Sequence, residues 1–107
     1  MFYGDWDNAK DVFSSFDLNE EDRKGVNIVF AYYSYEDYTG LAFILFTKED
    51  KLYEVHASHC SCYGIEYQWE PEETSVELLT HRLQKGTLGD FYDQNYEKEI
   101  RDALINI

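Results

Sequence analysis

The chain has 107 residues, 44% of them apolar and 18% aromatic, enough to build one hydrophobic core and too many for a disordered acidic tail. Its 22 carboxylates against 9 lysines and arginines give a net charge of -13 at pH 7, a field that repels nucleic acid and anionic membrane and favours a basic partner. The richest apolar run, Gly40 to Thr47, falls well short of the roughly 20 residues of a membrane span, and the first residues lack the pattern of a signal peptide, so a single cytoplasmic domain over 1–107 is expected.

Trp6, Ala9, Val12, Phe13 and Phe16 recur at steps of three and four, and with Asp5 as cap they predict an amphipathic helix over about 5–17. Residues 17–25 are charged and aperiodic, close on Gly25, and read as a surface loop. β-branched and aromatic residues then dominate Val26 to Tyr35, Leu41 to Thr47 and Leu52 to Ala57, with turns at 36–40 and 48–51, which is the pattern of an antiparallel three-stranded meander. Both faces of the middle strand are apolar, so both should be covered. Ser58 to Glu73 has no regular pattern. After Pro71, Thr74-Ser75-Val76-Glu77 reads as a capping box opening a helix that stops before Gly86, and Tyr92, Tyr96, Ile100, Ala103 and Leu104 predict a last helix from about Asp90. The expected class is α+β, a three-stranded antiparallel meander packed with about three helices in the order α-β-β-β-α-α.

His56-Ala57-Ser58-His59-Cys60-Ser61-Cys62 gathers zinc-ligand side chains in one short stretch, and His59, Cys60 and Cys62 are the candidate metal residues. Along an extended strand His56 and Cys60 would stand roughly 13 Å apart, so the chain would have to fold back near Ser58 and recruit a fourth ligand such as Glu66 or His81. The spacing matches neither C-x-x-C nor H-x3-5-H, and small buried thiols are the simpler reading, with no cofactor expected and zinc as the alternative. A thiol nucleophile is disfavoured by the acidic surroundings, which raise a thiol pKa. No phosphate-binding glycine loop or serine nucleophile motif is present, and the chain is not expected to be an enzyme.

The acidity has addresses. One block comprises Asp5, Asp7, Asp11, Asp17, Glu20, Glu21 and Asp22, against Lys10 alone; the other comprises Glu66, Glu70, Glu72, Glu73 and Glu77, with no base between them. A solvated, solubilising surface accounts for such charge in many proteins, but carboxylates on a rigid scaffold also imitate the phosphates of a duplex and compete for a basic groove. Tyr32, Tyr33, Tyr35 and Tyr38 suit either a protein interface, including a homodimer through that strand, or the wall of the sheet.

Ser58-His59-Cys60-Ser61-Cys62-Tyr63-Gly64-Ile65-Glu66 and Gln68-Trp69-Glu70-Pro71-Glu72 resemble a stretch shared by small phage and prophage-type proteins, and the similarity extends over about residues 26–85. The resemblance implies a phage-type origin, in which small acidic proteins are often inhibitors of host defence or of host nucleic-acid enzymes; it assigns no activity to particular residues. The combined expectation is an acidic binding protein in the host cytoplasm that occupies the basic surface of a nucleic-acid-binding or defence protein, as a DNA mimic. The alternatives are a zinc- or thiol-bearing domain and a dimerising interaction protein.

Overall fold

The computed structural model describes every residue except 37, 38, 60–63, 89, 92 and 93, and gives the backbone alone at 35, 36, 39, 59, 90, 91 and 94. Strand β1 (Phe2–Gly4) is followed by helices α1 (Ala9–Ser15) and α2 (Glu20–Arg23), then by β2 (Asn27–Glu36), β3 (Thr39–Lys48), β4 (Lys51–His59) and β5 (Glu72–Thr74). Helix α3 (Val76–Gln84), a small ribbon of β6 (Asp90–Phe91) and β7 (Gln94–Asn95), and helix α4 (Glu97–Ile105) complete the order. The main sheet has five strands in sequential order β1-β2-β3-β4-β5; β1 runs parallel to β2 and the remaining neighbours are antiparallel.

The expected three-stranded meander is therefore corrected to a five-stranded mixed sheet with four helices. Each addition has a local cause that hydrophobic periodicity does not register. β1 is three residues long and turns away at Gly4, whose φ of 72 only glycine adopts without strain. α2 is a single polar turn, capped by Asn19, whose side chain accepts from the Asp22 amide at 2.8 Å, and its Glu20, Glu21 and Asp22 sit at the positive end of the helix dipole. β5 is built from Glu72, Glu73 and Thr74, of which the glutamates are poor strand formers, and it exists because β4 offers an open edge.

The helix ends also move. α1 starts at Ala9 because Asn8, not Asp5, caps it, accepting from the Asp11 amide while the Asp11 carboxylate accepts from the Asp7 amide at 2.9 Å. Ser75 alone caps α3, accepting from the Leu78 amide at 3.1 Å, so the capping box read at Thr74 and Glu77 does not form. At its other end Gly86, with φ 72, lets the Gly86 and Thr87 amides return to the Leu83 and Arg82 carbonyls, which closes the helix as the sequence led one to expect. α4 begins seven residues later than expected, at Glu97, because the residues from Asp90 to Asn95 carry the β6–β7 ribbon.

Alternation along the strands sends one set of side chains to each face, and both faces are covered. Phe30, Tyr32, Phe43, Leu45 and Leu52 meet Leu79 and Leu83 of α3 and Ile100, Ala103 and Leu104 of α4. On the opposite face Ala31, Ala42, Ile44, Phe46, Val55 and Ala57 meet Trp6, Val12 and Phe16 from the α1 region and Ile65 from the segment after β4. A bulge between Ile28 and Phe30 shifts the register in β2, so that Val29 and Phe30 both lean toward the α3/α4 layer. No helix is long and apolar enough to cross a membrane among the described residues.

Candidate functional site

The second core layer opens to solvent as a groove of about 490 Å³, rimmed by the acids Glu21 and Asp22 of the first block and by Glu49. Its floor is aromatic. Phe46 of β3 pairs in register with Tyr53 of β4, and the rings stack with centroids 5.2 Å apart. Trp69 stacks on Phe46 at 5.3 Å and meets the edge of Phe16 at 5.1 Å, so it is fixed between the sheet and α1. Val26 and Pro71 fill the rest of the floor.

Trp69 can hold that position because its neighbour Gln68 does the work of a strand residue without being in one. Its Oε1 accepts from the Ser58 amide at 3.0 Å, and its Nε2 donates to the carbonyls of Ser58 at 2.6 Å and Gly64 at 3.0 Å. Two backbone groups near the end of β4 and one at Gly64 are thereby satisfied by one side chain, and the segment carrying Trp69 and Pro71 is tied onto the sheet.

The rim is acidic. Glu21 and Asp22 of α2 stand on one side and Glu49, in the β3–β4 turn, on another, with Lys48 the cation beside them. Glu73 lies opposite Tyr53 in the β4–β5 pairing and therefore on the same face of the sheet. All twelve carboxylates of the two blocks are exposed except Asp11, which is half-buried. Among the described residues their one ion pair is Lys51 with Glu73, at 4.0 Å and with both side chains more than half exposed, a contact of little energetic weight.

The second block does not act as a unit. Glu66 and Glu70 belong to the segment on the groove side, Glu72 and Glu73 to edge strand β5, and Glu77 to the first turn of α3, which packs against the other face of the sheet. Asp5, Asp7, Asp11 and Asp17 accompany Trp6, Val12 and Phe16 on the groove-side layer, around α1.

Of the proposed metal residues, His59 ends β4 and Cys60 and Cys62 lie outside the described residues. The two suggested fourth ligands are on different layers: Glu66 follows Ile65 on the groove side, and His81 is exposed on α3. Among the described residues no three His, Cys, Asp or Glu side chains are placed to hold an ion. The tyrosine strand β2 has both edges taken, by β1 and β3; Tyr32 is buried against Tyr96 at 4.9 Å and Tyr33 packs on Trp6 at the same separation, so these two rings wall the cores. Tyr38 lies outside the described residues, and the Tyr35 side chain likewise.

A charged constellation that the sequence reading passed over lies beneath α3. Glu54, 5% exposed, points from β4 into the α3/α4 layer, where Arg82 donates to its Oε2 and His56 Nε2 to its Oε1, each at 2.6 Å. Burial alone would raise the Glu54 pKa, but the hydrogen bonds from His56 and Arg82 outweigh it and hold the group at about 2, against an ordinary 4.5. The signal was present: Leu52, Glu54 and His56 alternate on the strand, and an acid at an inward position requires a cation from the covering element.

A five-stranded mixed sheet covered by helices on both faces, with an acidic-rimmed aromatic groove on one of them, is the class of molecule these features define. Compared with known proteins, the chain matches no family model, no curated protein and no solved structure.

Proposed function

We propose that this chain is an acidic binding protein of phage type, which occupies the basic surface of a nucleic-acid-binding protein of the host, such as a nuclease or another defence enzyme, and so keeps nucleic acid out. The observation that carries the reading is the groove, where Glu21, Asp22 and Glu49 rim a largely apolar floor. Glu21, Asp22, Glu49 and Glu73 are exposed on short, hydrogen-bonded elements, so their backbone is ordered before any partner binds. The floor gives the aliphatic stems of partner lysines and arginines an apolar surface to lie along while their charged heads reach the rim. A protein that merely needs solubility has no use for carboxylates gathered beside a groove floored by the half-buried rings of Tyr53 and Trp69. The resemblance of residues 58–72 to phage-type proteins supports the same reading.

The test is capture from a bacterial lysate at low salt on immobilised protein, with the retained proteins identified by mass spectrometry and then challenged with duplex DNA. The reading expects nucleic-acid-binding proteins that DNA displaces and that an E21K/D22K/E73K bait fails to retain. Retention indifferent to both DNA and charge reversal would remove it.

A further inference from the structure

The acidity that dominates this protein is nearly absent from one side of it. Helices α3 and α4, together with the α3 cap Lys85, carry Glu77, Glu97, Glu99 and Asp102 against Arg82, Lys85, Lys98 and Arg101. With Glu54, which Arg82 holds beneath α3, this side has five negative charges against four positive, so nearly all of the net charge of -13 belongs to the remainder of the chain. Exposed apolar side chains collect on this neutral side. Among the described residues the large exposed hydrophobics are Met1, Tyr67, Val76, Leu78, Ile105 and Ile107, and of these Val76 and Leu78 are on α3 and Ile105 on α4, with Ile107 just beyond. Val76 and Ile105, the latter 78% exposed, line a groove of about 260 Å³ between the two helices with Thr80, Arg101 and Leu104.

We propose that this α3/α4 groove face is a self-association surface on which a second copy of the chain docks. Charge selects the occupant. Two copies approaching through the acidic side would press strongly like-charged surfaces together, which is costly at short range, whereas the α3/α4 sides meet with little net repulsion and remove Val76 and Ile105 from water. The face also carries both signs, with Glu77 on α3 and Arg101 on α4, so a two-fold arrangement can set the acid of each copy near the base of the other. At about 1.5 Å per residue each nine-residue helix is only ~13 Å long, so the buried area falls at the low end for specific interfaces and a weak dimer is expected. The pair would turn its acidic grooves outward on opposite sides, making a bivalent ligand from a monovalent one. The inference does not depend on what the acidic groove binds.

Sedimentation equilibrium of the full chain between about 1 and about 200 µM tests it. The wild type is expected to pass from monomer to dimer across that range, and Ile105→Glu and Val76→Glu each to weaken the dimer at least about tenfold while far-UV circular dichroism stays unchanged, since both side chains are exposed in the monomer. Raising the salt should leave the dimer intact or tighten it by screening the remaining repulsion between acidic surfaces, the reverse of its effect on a basic partner. A wild type that stays monomeric at the top of the range, a dimer indifferent to both substitutions, or one that salt dissociates would each overturn the proposal.

Discussion

A methyl group on Gly4 would collide with the carbonyl oxygen of Tyr33, and φ 72 is a conformation that other residues adopt only under strain. Gly4→Ala should therefore cost at least about 2 kcal/mol, read by urea denaturation, because β1 can no longer enter beside β2 and the Asp5 amide loses its 2.9 Å bond to Tyr33. The β3–β4 turn holds the opposite opportunity. Glu49 and Asp50 both have positive φ, 54 and 65, in a two-residue turn whose usual occupants are asparagine and glycine. Asp50→Gly should stabilise the protein by about 1 kcal/mol and raise Tm by several degrees, measured by thermal melting. Glu54 gives the pH dependence. Its folded pKa of about 2 lies below the ordinary 4.5, so its contribution is complete above about pH 4.5 and disappears as pH falls toward 2. Unfolding free energy should rise by on the order of 3 kcal/mol across that interval, and Glu54→Gln should flatten the rise. The same substitution leaves Arg82 beneath the helix without its carboxylate, so the variant is destabilised at neutral pH as well.

At the scale of elements, what could be read in the sequence was whatever buries a repeating apolar stripe. The strands from Val26, Leu41 and Leu52, and the helix carrying Leu79 and Leu83, all follow from periodicity, since burial of those residues is what orders them. β1, α2 and β5 were invisible for the converse reason: they are three or four residues long and owe their existence to Gly4, to the Asn19 cap and to the free edge of β4. The candidate site divides along the same line. Its charges were legible as two blocks, but not the aromatic groove beside the first of them, which depends on Gln68 pinning Trp69 over Phe46, nor the separation of Glu77 from the rest by the thickness of the sheet. Trp69→Ala removes the central ring of the groove and its contacts with Phe16 and Phe46; a loss of about 3 kcal/mol in chemical denaturation is expected. Trp69→Phe, which keeps a ring there, should recover most of it.

Over the whole molecule, the sheet separates two surfaces of different character. One bears the acidic-rimmed aromatic groove, the other is close to neutral and apolar where α3 meets α4. A purely solubilising acidity would have no reason to respect that division, because solubility is served by charge on every side. Attraction to a basic partner acts through the charged side and weakens as ions screen it, with a Debye length near 10 Å at about 0.1 M salt. The most direct test is the affinity of the captured partner for the wild type and for E21K/D22K/E73K, measured by calorimetry at about 50 and about 300 mM NaCl. The wild type should lose at least roughly tenfold in affinity between the two salts, and the reversed variant should bind at least about a hundredfold more weakly at the lower one. Equal affinity at both salts, or a variant that binds as the wild type does, would contradict the assignment of the acidic groove as the binding surface.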